Sequence, residues 1–131
     1  MVGWEEVPME ERLRFMYSNA YDVIKNSLSE GYQVVTDGGY SIGRDMGLLE
    51  DAIRLGEEFG YRVIVFELVA SLDEVMKRAQ TRARNEDASE DFQIVRRRFV
   101  KFQSARYVDA VEIKTDGRPV EGIIDEMMEL I

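Results

Sequence analysis

Residues 62–69 read Arg-Val-Ile-Val-Phe-Glu-Leu-Val, a short and almost continuous apolar run that follows Gly60. A run of this length, rich in β-branched residues, is typical of a strand that is buried on both faces. Such strands occur mainly in parallel sheets that helices cover on both sides. Residues 32–36 and 108–113 have the features of two further strands, and the second alternates apolar with polar residues, as suits an edge strand. The sequence therefore predicts an α/β fold.

Helices are predicted between these strands because apolar residues recur there at three- and four-residue steps. Gly31 and Gly60 mark the ends of the first two helices, and Ser71 with Glu74 matches a capping box at the start of the third. Ser89 can cap the fourth. The predicted helices cover about 8–30, 46–59, 71–84, 90–104 and 120–131. Strands separated by helices imply parallel pairing, hence one domain over residues 1–131 with a three-layer sandwich around a short, mainly parallel sheet.

The composition excludes several kinds of chemistry. The 131 residues include no cysteine and no histidine, which excludes disulfides, thiolate sites, histidine-ligated metals and histidine acid–base catalysis. A net charge of −9 argues against a general nucleic-acid binder. No apolar run approaches the roughly 18 residues that span a bilayer, and the acidic start is unlike a secretory signal. We expect a cytoplasmic protein without a membrane partner.

The charge is unevenly distributed along the chain. Residues 77–106 contain nine of the seventeen basic residues and only four acidic ones, so this segment carries a charge of +5. A basic segment on an acidic protein is what an anion site needs. A pair of basic helices lying on an acidic surface gives the same pattern, and the sequence leaves both interpretations open.

Polar residues follow the first predicted strand, and ligands of open parallel sheets bind at the carboxyl ends of strands. Asp37 could hold Mg²⁺ or orient a hydroxyl group there, and Gly38 and Gly39 would let the backbone approach a ligand. Arg44, at the far end of the same loop, could bind a phosphate or a carboxylate through two hydrogen bonds. An aspartate that only caps a turn, followed by glycines and a solvated arginine, is the structural alternative.

The third candidate is a cluster of arginines. Arg78 and Arg82 are four residues apart and share one helix face, and Arg84 lies on a neighbouring face. A second basic stretch includes Arg97 and Arg98, which cannot both point the same way because adjacent helical residues diverge by about 100°. Two basic helices joined by a loop could close over a polyphosphate, whereas a salt-bridged helical hairpin is the structural alternative.

These features together resemble the P-loop kinases that act on small molecules, nucleotides or RNA ends. The resemblance spans the chain: residues 31–37 are similar to the third strand of that family, 63–68 to its fourth and 111–116 to its last. It implies ATP and Mg²⁺ as cofactors. It further implies a catalytic and metal-binding role for Asp37, substrate binding by Arg44 with Gly38 and Gly39, and a lid over residues 71–104. In that lid, the basic side chains would face the nucleotide phosphates; they are Arg78, Arg82 and Arg84.

One departure from the family concerns the phosphate-binding loop. No G-x-x-x-x-G-K-[ST] segment is present in the chain. The chain is therefore expected to be the carboxyl-terminal part of a kinase, inactive alone, whose sheet a preceding segment or a second copy completes. Two alternatives remain open: a non-catalytic domain that binds a nucleotide or a regulatory partner, and a Rossmann-like domain that uses Asp37 for Mg²⁺.

Overall fold

The computed structural model describes residues 3–38, 44–85, 91–104, 107 and 109–131, with the backbone alone at 44–46. In these ranges a short 3₁₀ turn precedes five helices and two strands, which confirms the predicted α/β class. The elements are α1 (Met9–Ser29), α2 (Arg44–Glu58), β1 (Phe66–Val69), α3 (Leu72–Asn85), α4 (Phe92–Ser104), β2 (Val111–Lys114) and α5 (Val120–Glu129). They belong to two compact units, Met1–Val63 and Ile64–Ile131. The single domain with a lid at 71–104 stays a prediction.

The first unit is built on the packing of α1 against α2. Ile24 and Leu28 of α1 and Leu55 of α2 form its buried core. Apolar side chains recur at four-residue spacing on α1 because one face of the helix must leave water. At the edge of this contact the Tyr17 hydroxyl donates a hydrogen bond to the Asp51 carboxylate. This bond joins the two helices by a polar contact beside the apolar one.

Both helices of the first unit end in the same way, at the glycines that the sequence indicates. Gly31 has a φ of 87° and Gly60 a φ of 80°, in the left-handed region where glycine carries no steric cost. After α1, the N–H of Tyr32 bonds to the carbonyl of Ser27 and the N–H of Gly31 to that of Leu28. The same pair of bonds follows α2. These Schellman motifs satisfy the last carbonyls of each helix.

The prediction of a strand at residues 32–36 is wrong. This stretch has no regular secondary structure, and the side chain of Val35 is 96% exposed. Val34 alone packs against the core of α1 and α2. A strand is defined by hydrogen bonds to a neighbour. No strand among the described residues pairs with this stretch, so its β-branched residues do not form one.

The second unit contains the sheet. Strands β1 and β2 pair in parallel, with Phe66 opposite Val111 and Val69 opposite Lys114. Ile113 and Thr115 are buried, at 1% and 6% exposure. The structure corrects the prediction that residues 62–69 are a strand buried on both faces: β1 starts only at Phe66, and Leu68 is 53% exposed. The sheet has two strands in the described residues.

The helix starts of the second unit differ in part from the prediction. The Ser71 hydroxyl accepts the N–H of Glu74 at 3.2 Å, which confirms the first half of the capping box. The side chain of Glu74 does not return to Ser71, because it pairs with Arg78. Helix α4 is capped by Asp91, whose carboxylate accepts the N–H of Gln93 at 2.9 Å. The predicted cap, Ser89, lies outside the described residues.

None of the described helices combines the length and apolarity that crossing a bilayer requires.

The core of the first unit predicts a sharp contrast between two adjacent residues of α1. Ile24 is 7% exposed and Val23 is 62% exposed. We expect Ile24→Ala to lower the free energy of unfolding by about 2–5 kcal/mol, because it leaves a cavity. Val23→Ala, the matched control, should change it by less than about 0.5 kcal/mol. Urea unfolding followed by circular dichroism measures both, and equal losses would contradict the packing of α1 on α2.

The Tyr17–Asp51 hydrogen bond predicts an unusual tyrosine titration. The hydrogen bond to Asp51, together with partial burial, raises the pKa of Tyr17 to about 12. The phenol should stay protonated in the folded chain while the unfolded chain ionises near pH 10. The stabilisation is therefore complete below about pH 10 and is lost progressively as the pH rises to about 12. Ultraviolet absorbance at 295 nm should show one tyrosine ionising near pH 12 that is missing in Tyr17→Phe. Identical titration curves would contradict the bond.

Candidate functional site

A polar network lies at the carboxyl end of the parallel strand pair, around Thr115. The Thr115 N–H and hydroxyl both donate to the carbonyl of Val69, at 2.8 and 3.0 Å. The guanidinium of Arg78, on α3, donates to the Thr115 hydroxyl at 3.2 Å and to its carbonyl at 3.0 Å. Its Nε donates to Glu74 at 2.9 Å. Arg78 therefore ties α3 to the ends of both strands.

Asp116, the next residue, holds the start of α3 from the other side. Its carboxylate accepts the backbone N–H of Ser71 at 2.9 Å. The side chain and backbone N–H of Ser71, and the charge of Arg78, keep the pKa of Asp116 below its ordinary value. In a complete capping box, the side chain of Glu74 would accept the N–H of Ser71. Here the carboxylate of Asp116 accepts it instead. The network fixes the first turn of α3 to the sheet.

An open cleft of about 700 Å³ lies beside this network. Apolar and aromatic side chains form much of its wall, and four arginines line it together with Thr115. The apolar residues are Leu68, Ala70, Val75, Val95, Phe99, Phe102, Val120 and Ile123, and the arginines are Arg78, Arg82, Arg98 and Arg118. A cleft that combines an apolar wall with positive charge suits an anion that carries an apolar ring.

The four arginines are not equivalent. Arg118 donates to the carbonyls of Lys114 and Gly122, at 2.9 and 3.0 Å, and pairs with Glu126, so it holds β2 to α5. Arg78 uses three of its N–H groups on Thr115 and Glu74. Arg98 is exposed and makes no hydrogen bond or ion pair with any described residue. Arg98 can therefore bind a ligand without giving up a partner within the described chain.

The structure brings together only part of the predicted site. Arg78 and Arg82 both line the cleft, whereas Arg84, on the same helix, does not. The expectation that Arg97 and Arg98 point differently is met, since Arg98 lines the cleft and Arg97 does not. Their binding roles stay predictions.

The other predicted residues belong to the first unit. Asp37 and Gly38 are exposed in irregular chain, and Asp37 makes no hydrogen bond or ion pair with the described residues. Gly39 lies outside the described residues. Arg44 is the first residue of α2, and its side chain lies outside the described atoms. Their proposed roles in substrate binding and catalysis stay predictions.

In the described ranges, no three or more acidic side chains converge on one point. Mg²⁺ is commonly held by one or two carboxylates together with substrate phosphates and water. Asp37 could contribute one such carboxylate, but it stands alone in the described structure.

Sequence reasoning missed Phe99, Phe102 and Arg118 as residues of the site, and it named Arg98 only as part of the second basic stretch. A signal for α4 is present in the spacing, because Val95, Phe99 and Phe102 lie at three- and four-residue steps and so share one face. Arg98 borders that face. No comparable signal exists for Arg118, which reaches the cleft only because the turn after β2 carries it there.

Comparison with known proteins gives no family for this chain. No protein-family model matches the sequence, no curated protein is significantly similar to it, and no solved structure matches the fold. The geometry of the cleft and the chemistry of the side chains that line it are therefore the guide to function.

The hydrogen bond between Asp116 and Ser71 predicts that the free energy of unfolding depends on pH in the acid range. Because the pKa of Asp116 is lower in the folded chain than its ordinary 3.8, the unfolded chain binds this proton first. The stabilisation is present above that ordinary pKa and is lost as the pH falls towards the folded one. We expect Asp116→Asn to unfold with a weaker dependence on pH below about pH 5, as measured by urea unfolding at several pH values.

The control is Asp125→Asn, which removes an exposed carboxylate from α5 that has no hydrogen bond or ion pair in the described structure. It should keep the acid dependence of the original chain. If both variants behave alike, Asp116 does not hold α3 to the sheet.

Proposed function

We propose that the cleft of the second unit binds a nucleotide, and that the chain is part of a kinase-like phosphotransferase. The observation that carries the proposal is the cleft itself. It combines two phenylalanines and other apolar side chains with four arginines at the carboxyl end of two parallel strands. Ligands of open parallel sheets bind at that end, and a nucleotide has both an aromatic base and an anionic phosphate group.

The two halves of the ligand suit different parts of the lining. Phe99 and Phe102 offer flat apolar faces on which a base can stack, a contact worth about 1–3 kcal/mol per base. Arg82 and Arg98 extend from α3 and α4 and supply planar donors that match the geometry of phosphate oxygens. Arg78 lies between strand ends and helix, where its bonds to Thr115 position α3 and leave two N–H groups for a ligand.

Phosphoryl transfer is the part of the proposal supported by the sequence resemblance to P-loop kinases. In this kinase proposal, the nucleotide is ATP accompanied by Mg²⁺, and α3 and α4 act as the lid. Asp37 and Arg44 serve the transfer and bind the acceptor, which is a small molecule or a nucleic-acid end, beside Gly38 and Gly39. The complete cytoplasmic protein would have the three-layer P-loop fold, with a preceding segment or a second copy completing the sheet.

A second candidate function is nucleotide binding without transfer, in a regulatory domain that responds to a nucleotide or a partner. The supporting observation is that the sequence contains no G-x-x-x-x-G-K-[ST] segment to hold the phosphates that are transferred. Both candidates use the same cleft. They differ in whether Mg²⁺ and ATP with an acceptor yield a phosphorylated product.

The proposal predicts that Arg98 contributes to nucleotide affinity and that its neighbour does not. We expect Arg98→Ala to weaken binding of ATP and ADP about 10- to 100-fold, because a charge-assisted hydrogen bond to phosphate is lost. Arg97→Ala is the matched control, since it removes the same charge from the next position of α4 but not from the cleft. Isothermal titration calorimetry with each nucleotide measures the affinities.

Two results would contradict the proposal. One is the absence of binding by the original chain at millimolar ATP and ADP. The other is an equal loss in the two arginine variants, which would indicate general attraction by the basic segment. Binding without phosphorylation or hydrolysis in the presence of Mg²⁺ would favour the second candidate function.

A further inference from the structure

A second depression, of about 490 Å³, lies on α3 and adjoins the cleft. Residues of one helix face line it: Glu74, Lys77, Arg78, Thr81, Arg82 and Asn85. Arg78 and Arg82 line the cleft as well. The two depressions thus share two arginine side chains, so a ligand that extends beyond one depression would reach the other beside them.

The lining of the second depression is polar and positive. Lys77 is exposed and makes no ion pair with a described acid, and Asn85 adds an amide. The one acidic side chain, Glu74, already accepts a hydrogen bond from Arg78 at 2.9 Å, which offsets its charge. No aromatic side chain is present among the six residues. This chemistry suits a phosphate and a sugar, and it offers no surface for stacking a base.

The size of the two depressions exceeds what a mononucleotide requires. The cleft alone, at about 700 Å³, lies within the usual range for a site that holds one small ligand. From Lys77 to Asn85 the helix rises by about 12 Å, at 1.5 Å per residue. The backbone of a single strand that follows a positively charged groove can place more than one phosphate over that length.

We propose that the depression on α3 binds further phosphates of the same ligand, so that the ligand of this site is a single-stranded nucleic acid. The proposal rests on the nucleotide site proposed above. It corresponds to the second candidate function, because a nucleotide of the strand then fills the cleft in place of ATP. One nucleotide occupies the cleft with its base on α4, and the adjoining phosphates of the strand follow Arg82, Lys77 and Asn85 along α3. Residues 77–106 carry a charge of +5 in a chain whose net charge is −9, so the strand is attracted to this segment and not to the chain as a whole.

The test measures how affinity depends on strand length. Fluorescence anisotropy with labelled oligothymidylates and oligouridylates of two to eight nucleotides should show affinity rising with each added nucleotide up to about four. Lys77→Ala should weaken binding of the tetranucleotide about tenfold and leave the affinity for ADP unchanged. Its plot of log affinity against log salt should be less steep by about 0.7, the value for one phosphate on a single strand.

Lys101→Ala is the control, because it removes an equal charge from an exposed position of α4 that lines neither depression. It should behave like the original chain. The proposal would be overturned if the two lysine variants had equal effects, or if affinity did not rise with strand length. In either case, binding of ADP that depends on Arg98 would still support the nucleotide site. Failure of both ADP and the oligonucleotides to bind would overturn both. Equally tight, Lys77-dependent binding of polyglutamate would show that the occupant is an acidic peptide instead.

Discussion

The second unit depends on the pairing of Val69 with the residues that follow β2. The backbone and side chain of Thr115 both donate to the carbonyl of Val69, which closes the carboxyl end of the two-stranded sheet. A parallel pair of four-residue strands has few hydrogen bonds of its own, and an isolated pair is marginal in water. The bonds from Arg78 to Thr115 attach α3 to this end of the sheet. Each donor that leaves water is paired with an acceptor that also leaves water. The first turn of α3 is therefore fixed relative to the strands.

Because of this constraint, the arginines that line the cleft have different roles. Arg78 and Arg118 use their donors on backbone carbonyls and on acidic side chains, so they shape the walls. Arg98 stands on α4 without a described partner, where a ligand can supply one. Burying a cation without a partner is costly, and the open cleft avoids this cost by leaving Arg98 in water. An anion that enters the cleft meets charge that the fold has not already neutralised.

The predictions from sequence succeeded where the cause is local. Ends of helices at Gly31 and Gly60, and the bond of Ser71 to Glu74, depend on residues a few positions apart, so spacing alone reveals them. The strand at 32–36 failed because its residues fit a strand but no described neighbour pairs with them. The apolar run at 62–69 was predicted as a doubly buried strand, yet only Val69 is buried in the four residues that form β1. Burial depends on what covers a strand, which its own residues do not encode.

Sequence by itself determined the α/β class, the helices with their glycine ends, the absence of thiol and imidazole chemistry, and the concentration of basic residues in 77–106. Only the tertiary structure decided which of those basic residues meet. It brought Arg98, Phe99 and Phe102 of α4 into one cleft with Arg82 of α3, and Arg118 reaches the same cleft from beyond β2. It also decided that Arg78 bonds to Thr115, 37 residues away. The physical reason is that helix periodicity fixes a side chain's face within its own element, whereas partners across the fold are fixed by strand pairing and helix packing.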